Sequence, residues 1–378
     1  MTTLHPTIAF RTHFESLPDP RVQRTRRHLL IDILFIAMAA TIGGADNFAD
    51  IERFARAKQA WFRRFLQLPG GIPSHDTFNR VFAKLDPAAF VACVTRWLTR
   101  LHQASDGRFI AIDGKTLRGS FDKATGQAAL HLVSAWARAQ GLVLGQVRSD
   151  AHSNEITAIP KLLELLELEG AIVTLDAMGC QKSIAADIGQ RGGDYVLAVK
   201  DNQPKLHAAV VAEFERLMEA TASSLRSHVV TTRAADGTTE RRTYCTAAAP
   251  KSAAFAGWAG LQSIGVAIRT RLVDGKEQAT LRYYISSLKP QVKRFAEAVR
   301  GHWGIENSLH WSLDVTFAED AQRTRRGHAA ENAAALRRLV LSLLKQDKTI
   351  KDNVTGKRRR AGWNDQVIER LLCGFQGK

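Results

Sequence analysis

At 378 residues the chain is long enough for two domains, and its 53 Lys and Arg against 37 Asp and Glu leave a formal charge of +16, which points to a polyanionic partner. The excess is flank-loaded: residues 1–100 carry +6, residues 286–378 carry +8 and the stretch between carries +2, as expected of a catalytic body with nucleic acid gripped at both ends. The four cysteines (Cys93, Cys180, Cys245, Cys373) form no CxxC pair, which argues against a zinc ribbon or a disulfide framework and fits a reducing, cytoplasmic setting.

Residues 1–28 read as irregular, broken by Pro6, Pro18 and Pro20. The apolar run "LLIDILFIAMAATIGGA" (29–45) is the one membrane candidate, but it is only 17 residues long, carries Asp32 and ends in Gly-Gly, so a buried helix is expected and no membrane partner. Helices are predicted at 29–42, at 46–67 with Asp46 or Asn47 as cap, at 74–85 behind Ser74, and at 87–103. Together they define a helical N-terminal domain, 1–103. Within it "LPGGIPSHDTFNRVFAKLD" has the shape of a helix-turn-helix, with Asp76, Thr77, Asn79 and Arg80 on its polar face. On that reading Asn79 and Arg80 would meet base edges, and Arg24, Arg26, Arg27, Arg63 and Arg64 would meet phosphates. Simple three-helix packing accounts for the same pattern.

From 108 the pattern turns to strands: "RFIAIDGKTL", "ALHLVSAWAR" and "GLVLGQVRS", then a helix at 154–170, "AIVTLDAMG", a helix from Gln181, and "DYVLAVK". The order βββαβαβ over 104–203, with an aspartate ending two of the strands, is the layout of a ribonuclease-H-like α/β core, although doubly wound folds also alternate in this way. Residues 204–285 break the alternation: one helix, then short strands around Asp236-Gly237 and Asp274-Gly275, which are hairpin signals and mark a β-rich insertion. Helices return over 286–346 to complete the core, and 347–378 reads as a basic, mobile tail ending in a short helix near 364–373.

Three carboxylates carry the chemistry. Asp113 and Asp176 each follow an apolar strand, where an uncompensated charge is costly, so their side chains are expected to converge at one sheet edge around a cation. Glu306, in "RGHWGIENSLHWSLDVTFAED", would be the third, with Glu297, Asp314, Glu319 and Asp320 as competitors. Three hard oxygen ligands suit Mg²⁺ or Mn²⁺, and a pair of such ions serves phosphoryl displacement. A rival reading places zinc on His302, Glu306 and His310, spaced i, i+4, i+8 on one helix face; that spacing is not HExxH and leaves both aspartates unexplained.

The motifs "DPRVQRTRRHLLIDIL", "GIPSHDTFNRVF", "AIDGKTLRGS", "VTLDAMGCQ", "LAVKDNQP" and "HWGIENSLHWSLDVTFAEDAQRTR" together resemble the DDE transposases of bacterial insertion sequences, most closely the H-repeat-associated group found beside Rhs elements. The resemblance covers nearly the whole chain. It implies that Asp113, Asp176 and Glu306 hold two metal ions, and that the protein binds double-stranded DNA at terminal inverted repeats. It further implies cutting at the repeat ends, joining of the freed 3′-hydroxyl to target DNA, and a dimer in the synaptic complex of a nucleoid-associated bacterial protein. The broader superfamily pattern Tyr-x₂-Arg-x₃-Glu-x₆-Lys is not kept: Val299, His302, Glu306 and Leu313 stand there, so His302, Trp303, Asn307 or His310 would replace its DNA contacts. Lys115, Arg118 and Lys200 near strand ends, with Arg323, Arg325 and Arg326, are further phosphate candidates. In the insertion, Arg241, Arg242 and Trp258 are the expected DNA contacts. A nuclease of the same fold, or a silent DNA-binding relic, are the other classes this sequence admits.

Overall fold

The computed structural model describes residues 6–102, 109–123, 126, 128–149, 155–220, 225–233, 239–273 and 276–373. It is a mixed α/β structure that divides into two compact units, one of Met1–Ser105, Gly114–His152 and Asn307–Lys378, the other of Asp106–Asp113 and Ser153–Glu306. The chain first passes from one unit to the other between Ser105 and Asp106, close to the expected boundary at 103. The N-terminal helices are not a unit of their own: they share one with residues 114–152 and 307–378.

In the first unit the leading helices are α1 (Pro6–Phe14), α2 (Leu30–Ile42), α3 (Phe48–Ala57), α4 (Gln59–Phe62), α5 (His75–Lys84) and α6 (Pro87–His102). The segment expected as one helix over 46–67 is broken at Lys58, which caps α3 and precedes α4. Asn47 is the cap of α3, its side chain accepting from the Asp50 N–H at 2.9 Å. Ser74 stands at the cap position of α5, but its hydroxyl meets Thr77 Oγ1 at 3.2 Å instead of a backbone N–H.

Helix α2 is 13 residues long and buried from Asp32 to Ile42. At about 1.5 Å per residue it would span roughly 20 Å, short of a bilayer core. Among the described residues no helix is long and apolar enough to cross a membrane. Asp32 is fully buried, and its Oδ2 accepts the Leu68 N–H at 3.0 Å. Leu68 has φ of 48°, a left-handed conformation that a branched side chain rarely adopts. Asp32→Ala should therefore cost about 1–3 kcal/mol, the scale of leaving a buried N–H unpaired, readable as a lower urea midpoint at unchanged m-value.

The same unit carries β2 (Leu130–Ala137) and β3 (Leu142–Arg148), paired antiparallel, beside the second half of β1 (Phe109–Leu117). α12 (Ala329–Gln346) runs through its core against α2, α5, α6 and β3, preceded by α11 (Trp311–Phe317). The tail expected to be mobile is instead folded as α13 (Val354–Trp363) and α14 (Asp365–Leu372). Its basic residues satisfy carbonyls: Lys357 Nζ donates to Leu344 O at 3.0 Å, and Arg358 donates to Thr41 O at 2.9 Å and Ala45 O at 2.7 Å. Two cations of "KRRR" are thus structural, because unpaired carbonyls at helix ends need donors.

The second unit holds the first half of β1 with β4 (Ile172–Leu175) and β5 (Asp194–Val199), all parallel, and continues through β9 (Lys276–Ser286), β8 (Ser263–Val273), β7 (Thr239–Ala248) and β6 (Ser227–Arg233). The region expected as a β-rich insertion is β-rich, and it extends this sheet through antiparallel β5–β9 pairing. The Asp236-Gly237 and Asp274-Gly275 turns lie outside the described residues, while the strands flanking them pair antiparallel. Crossover helices are α7 (Glu155–Leu163), α8 (Lys182–Gln190) and α9 (Pro204–Ala220). The helix predicted to reach 170 stops at Leu163.

α10 (Val292–Gly304) lies on β4, β5, β7 and β8. Phe295 seats it in a core with Ile172, Val196, Tyr244 and Tyr284. A Cβ at Gly265 on β8 would come within 2.4 Å of the Phe295 ring, so a side chain there would lift the helix off the sheet.

Candidate active site

The parallel register sets the first two carboxylates side by side. Ile110 pairs with Val173, Ala111 with Thr174 and Ile112 with Leu175, so the next residues, Asp113 and Asp176, stand at the same level; Asp176 lies just past the end of β4, whereas Asp113, expected at a strand end, is inside β1, which runs on to Leu117. Neighbouring strands lie about 4.8 Å apart. Both aspartates are half-buried. Asp176 Oδ1 accepts the Met178 and Gly179 N–H groups at 2.9 and 3.3 Å, whereas Oδ2 accepts no hydrogen bond among the described residues. Burial, then the Glu155 carboxylate, push its pKa above the usual aspartate value against the pull of those N–H groups and of Lys200.

Two residues in "LAVKDNQP" hold the loop behind Asp176. Asn202 Nδ2 donates to Ala177 O, and Gln203 Nε2 donates to Cys180 O at 3.0 Å. Sequence reasoning quoted this motif without giving either amide a role. Their Asn and Gln chemistry, two residues past a buried strand, was the available signal.

Glu306 is exposed and stands one helical turn beyond His302. The imidazole Nδ1 of His302 and Thr174 Oγ1 share a hydrogen bond at 3.2 Å, which ties the end of α10 to β4 two residues before Asp176. Burial is the main reason the His302 pKa falls to about 4, so at neutral pH this ring carries no charge. His302, expected as a DNA contact, is turned inward as a tether. Trp303 beside it is stacked under Arg282, whose guanidinium is 3.8 Å from the ring centroid.

From Ile305 to His310 the helix widens into a π-turn carrying Glu306. Ile305, Leu309, Leu313 and Phe317 are all fully buried. Four-residue steps in a regular α-helix would rotate that stripe by about 40° each, and the wider turn absorbs the drift. Such π-turns recur at functional sites.

Among the described residues no group of three or more His, Cys, Asp or Glu side chains is spaced to hold a metal ion. This applies to His302, Glu306 and His310, and equally to Asp113, Asp176 and Glu306 as they stand. Three of the four competitors of Glu306 are otherwise engaged: Asp314 and Asp320 hold Lys115 at 2.8 and 3.1 Å, and Glu319 is buried against Arg337 and Arg338, while Glu297 is exposed on α10.

The other expected contacts divide by whether their charge is already used. Lys115 is only 8% exposed and bridges those two aspartates, so it is an internal cation and not a DNA contact. Trp258 is buried beneath the surface and unable to stack on a base. Arg242, with Arg269 and Arg271, surrounds the buried Glu240, and Arg325 donates to Gly119 O at 3.4 Å. Lys200, Arg241, Arg323 and Arg326 are exposed with no carboxylate partner among the described residues, and Arg118 is exposed 3.6 Å from Asp320. Asn79 is half-buried, with its Oδ1 inside the protein and without a hydrogen-bond partner among the described residues.

Comparison with known proteins covers the chain almost end to end. The family described as "Transposase DDE domain" matches residues 104–343, and one described as "DDE_Tnp_1-associated" matches residues 11–98. The chain is 42% identical over 362 residues to "Putative transposase YncI" of Escherichia coli O157:H7, spanning 94% of this chain and 92% of that protein. It is 38% identical over 369 residues to "H repeat-associated putative transposase YhhI" of Escherichia coli K12, spanning 96% and 97%. A solved piggyBac transposase synaptic complex with hairpin DNA aligns at 10% identity and a TM-score of 0.37 over 98% of this chain and 81% of that one, too remote to bear on the fold.

Proposed function

The chain belongs to the transposase DDE domain family and is a DNA transposase, and we propose that Asp113, Asp176 and Glu306 are its strand-cutting carboxylates. The observation that carries this is the register that brings Asp113 level with Asp176, with the His302–Thr174 tether bringing the Glu306 helix to the same strand. The orders β3-β2-β1 in one unit and β1-β4-β5 in the other support a ribonuclease-H-like core.

Mg²⁺ or Mn²⁺, two ions per site, fits these donors. All three are hard oxygens, and the free Oδ2 of Asp176 sits where burial disfavours its charge unless a cation arrives. When bound, such ions supply the positive charge that stabilises the attacking and leaving oxygens of an in-line displacement. The chain's own residues do the positioning: Asn202 and Gln203 fix the loop behind Asp176 and the His302–Thr174 tether fixes the helix, while Lys200, exposed and near enough to favour the Asp176 carboxylate, would meet a flanking phosphate. Water attacks first, breaking the bond between phosphorus and the 3′-oxygen at the element end. The freed 3′-hydroxyl then attacks a target phosphodiester. Two copies of the chain would bridge the two terminal inverted repeats.

The test is a labelled duplex carrying the inverted repeats that flank this gene, incubated with Mg²⁺ or Mn²⁺ and a target plasmid. Nicked ends and joined products are expected, both lost on chelation. Nicking without joining would reduce the protein to a nuclease. No metal-dependent cutting would make it a DNA-binding relic.

A further inference from the structure

The N-terminal helices enclose a cavity of about 680 Å³ whose wall is dominated by cations. Four of them, Arg24, Arg27, Arg80 and Lys84, make no ion pair with any described carboxylate, and Arg80 has only the Thr77 hydroxyl at 3.4 Å. The two other arginines of the wall are neutralised: Arg21 holds Asp19 through bonds of 2.9 and 2.8 Å, and Arg56 pairs with Glu52 at 2.7 Å. Those carboxylates are spent on their partners. Four like charges turned toward one space repel one another, and only an anion brought from outside relieves them.

The cavity is built by sequence features that the helix-turn-helix reading took for a plain turn. Gly70 passes so close to the arginine-bearing segment that an added Cβ would lie 2.6 Å from Arg27 O. His28 Nδ1 donates to Gly71 O at 3.2 Å, pinning the loop to that segment. "LPGGIP" thus clasps "RTRRH", and α5 contributes Arg80 and Lys84 one turn apart on the facing side.

We propose that this cavity is a phosphodiester site, gripping consecutive phosphates of one DNA strand without reading base sequence. The inference rests on the assignment as a DNA transposase and adds where and how the backbone is held. Its volume far exceeds a single phosphate. Guanidinium groups match phosphate geometry in pairs, and no Asn or Gln stands among the residues that line the cavity to recognise a base. Free anions such as pyrophosphate share the chemistry, so the experiment must separate the two sources.

Full-length protein is titrated with fluorescent duplex DNA of two unrelated sequences over a range of salt concentrations. The variants are Arg24→Ala/Lys84→Ala, Arg27→Ala/Arg80→Ala and, as a control away from the cavity, Arg138→Ala/Lys348→Ala. Each cavity pair should lower the salt slope by about two and weaken binding by roughly 10–100-fold at about 0.1 M salt, equally for both sequences, with the control unchanged. Because the four side chains are exposed or bear no ion pair, the thermal melts should match wild type. Wild-type slopes and affinities in both cavity pairs would overturn the site. So would a loss confined to one sequence, which means base readout, or pyrophosphate binding by calorimetry that the variants lose while keeping DNA affinity. A wild-type chain that binds no DNA at all would instead strike the transposase assignment, so the two failures are distinguishable.

Discussion

Asp176→Asn is expected to lower metal-dependent DNA cleavage by at least about 10²–10³-fold, the scale of removing one charge-stabilising group, while leaving DNA affinity unchanged. The amide keeps an oxygen for the Met178 and Gly179 N–H groups, so the turn behind β4 survives. What is lost is the negative charge at the Oδ2 position. The variant should also be at least as stable as wild type at neutral pH without metal, because burial and Glu155 disfavour the native carboxylate. The sign follows from a folded pKa above the unfolded value. The folded state binds more protons between the two, so wild-type stability falls as pH rises through that window, and the amide escapes the loss. Asp113→Asn and Glu306→Gln should be equally inactive. Gel assays of cleavage beside melting curves check both halves, and undiminished cutting by any one variant removes that residue from the triad. Asp314 and Glu319, the natural fallbacks for Glu306, are already committed to Lys115, Arg337 and Arg338.

Glu319→Ala should be the most destabilising change of those considered, by about 3–5 kcal/mol, the cost of stranding a buried charge. Glu319 is fully buried, with Arg337 Nε at 3.1 Å and Arg338 Nη1 at 2.9 Å from the same oxygen. Burial alone would raise its pKa, but Arg338, Arg337 and Lys115 outweigh burial and hold the carboxyl below the usual range. Removing it leaves two guanidinium groups inside the protein with one shared anion gone. Linkage gives a second readout. With the folded pKa depressed, this stabilisation is present above the unfolded glutamate pKa and is lost as pH falls through the folded value. Urea denaturation should therefore show the gap between wild type and Glu319→Gln narrowing toward acid pH. A Glu319→Ala midpoint close to wild type would mean the arginines find water.

Local pattern alone was enough for the helices α2, α5, α6 and α12, the strand end at Asp176, and the β-rich run before α10, because apolar period and turn residues act within a few positions; it stopped β1 at Asp113, where the strand in fact runs on to Leu117. The resemblance in motifs such as "AIDGKTLRGS" and "HWGIEN" carried the family, which the comparisons then showed. Which charges are free is a different kind of fact. Lys115, Arg358 and Arg337 look in sequence like any other surface cation, yet each is committed to a carboxylate or carbonyl brought near by the fold. Arg24 and Lys84 look the same and carry no such partner. The inward turn of Asn79 and His302, the folding of the basic tail and the pairing of the insertion with β5 are also long-range outcomes. The sequence alone determined where the carboxylates of the reaction lie along the chain. Only tertiary structure decided which cations remain for DNA, because a charge is spent or free according to what packs against it, and packing partners are set by the fold and not by neighbours in sequence.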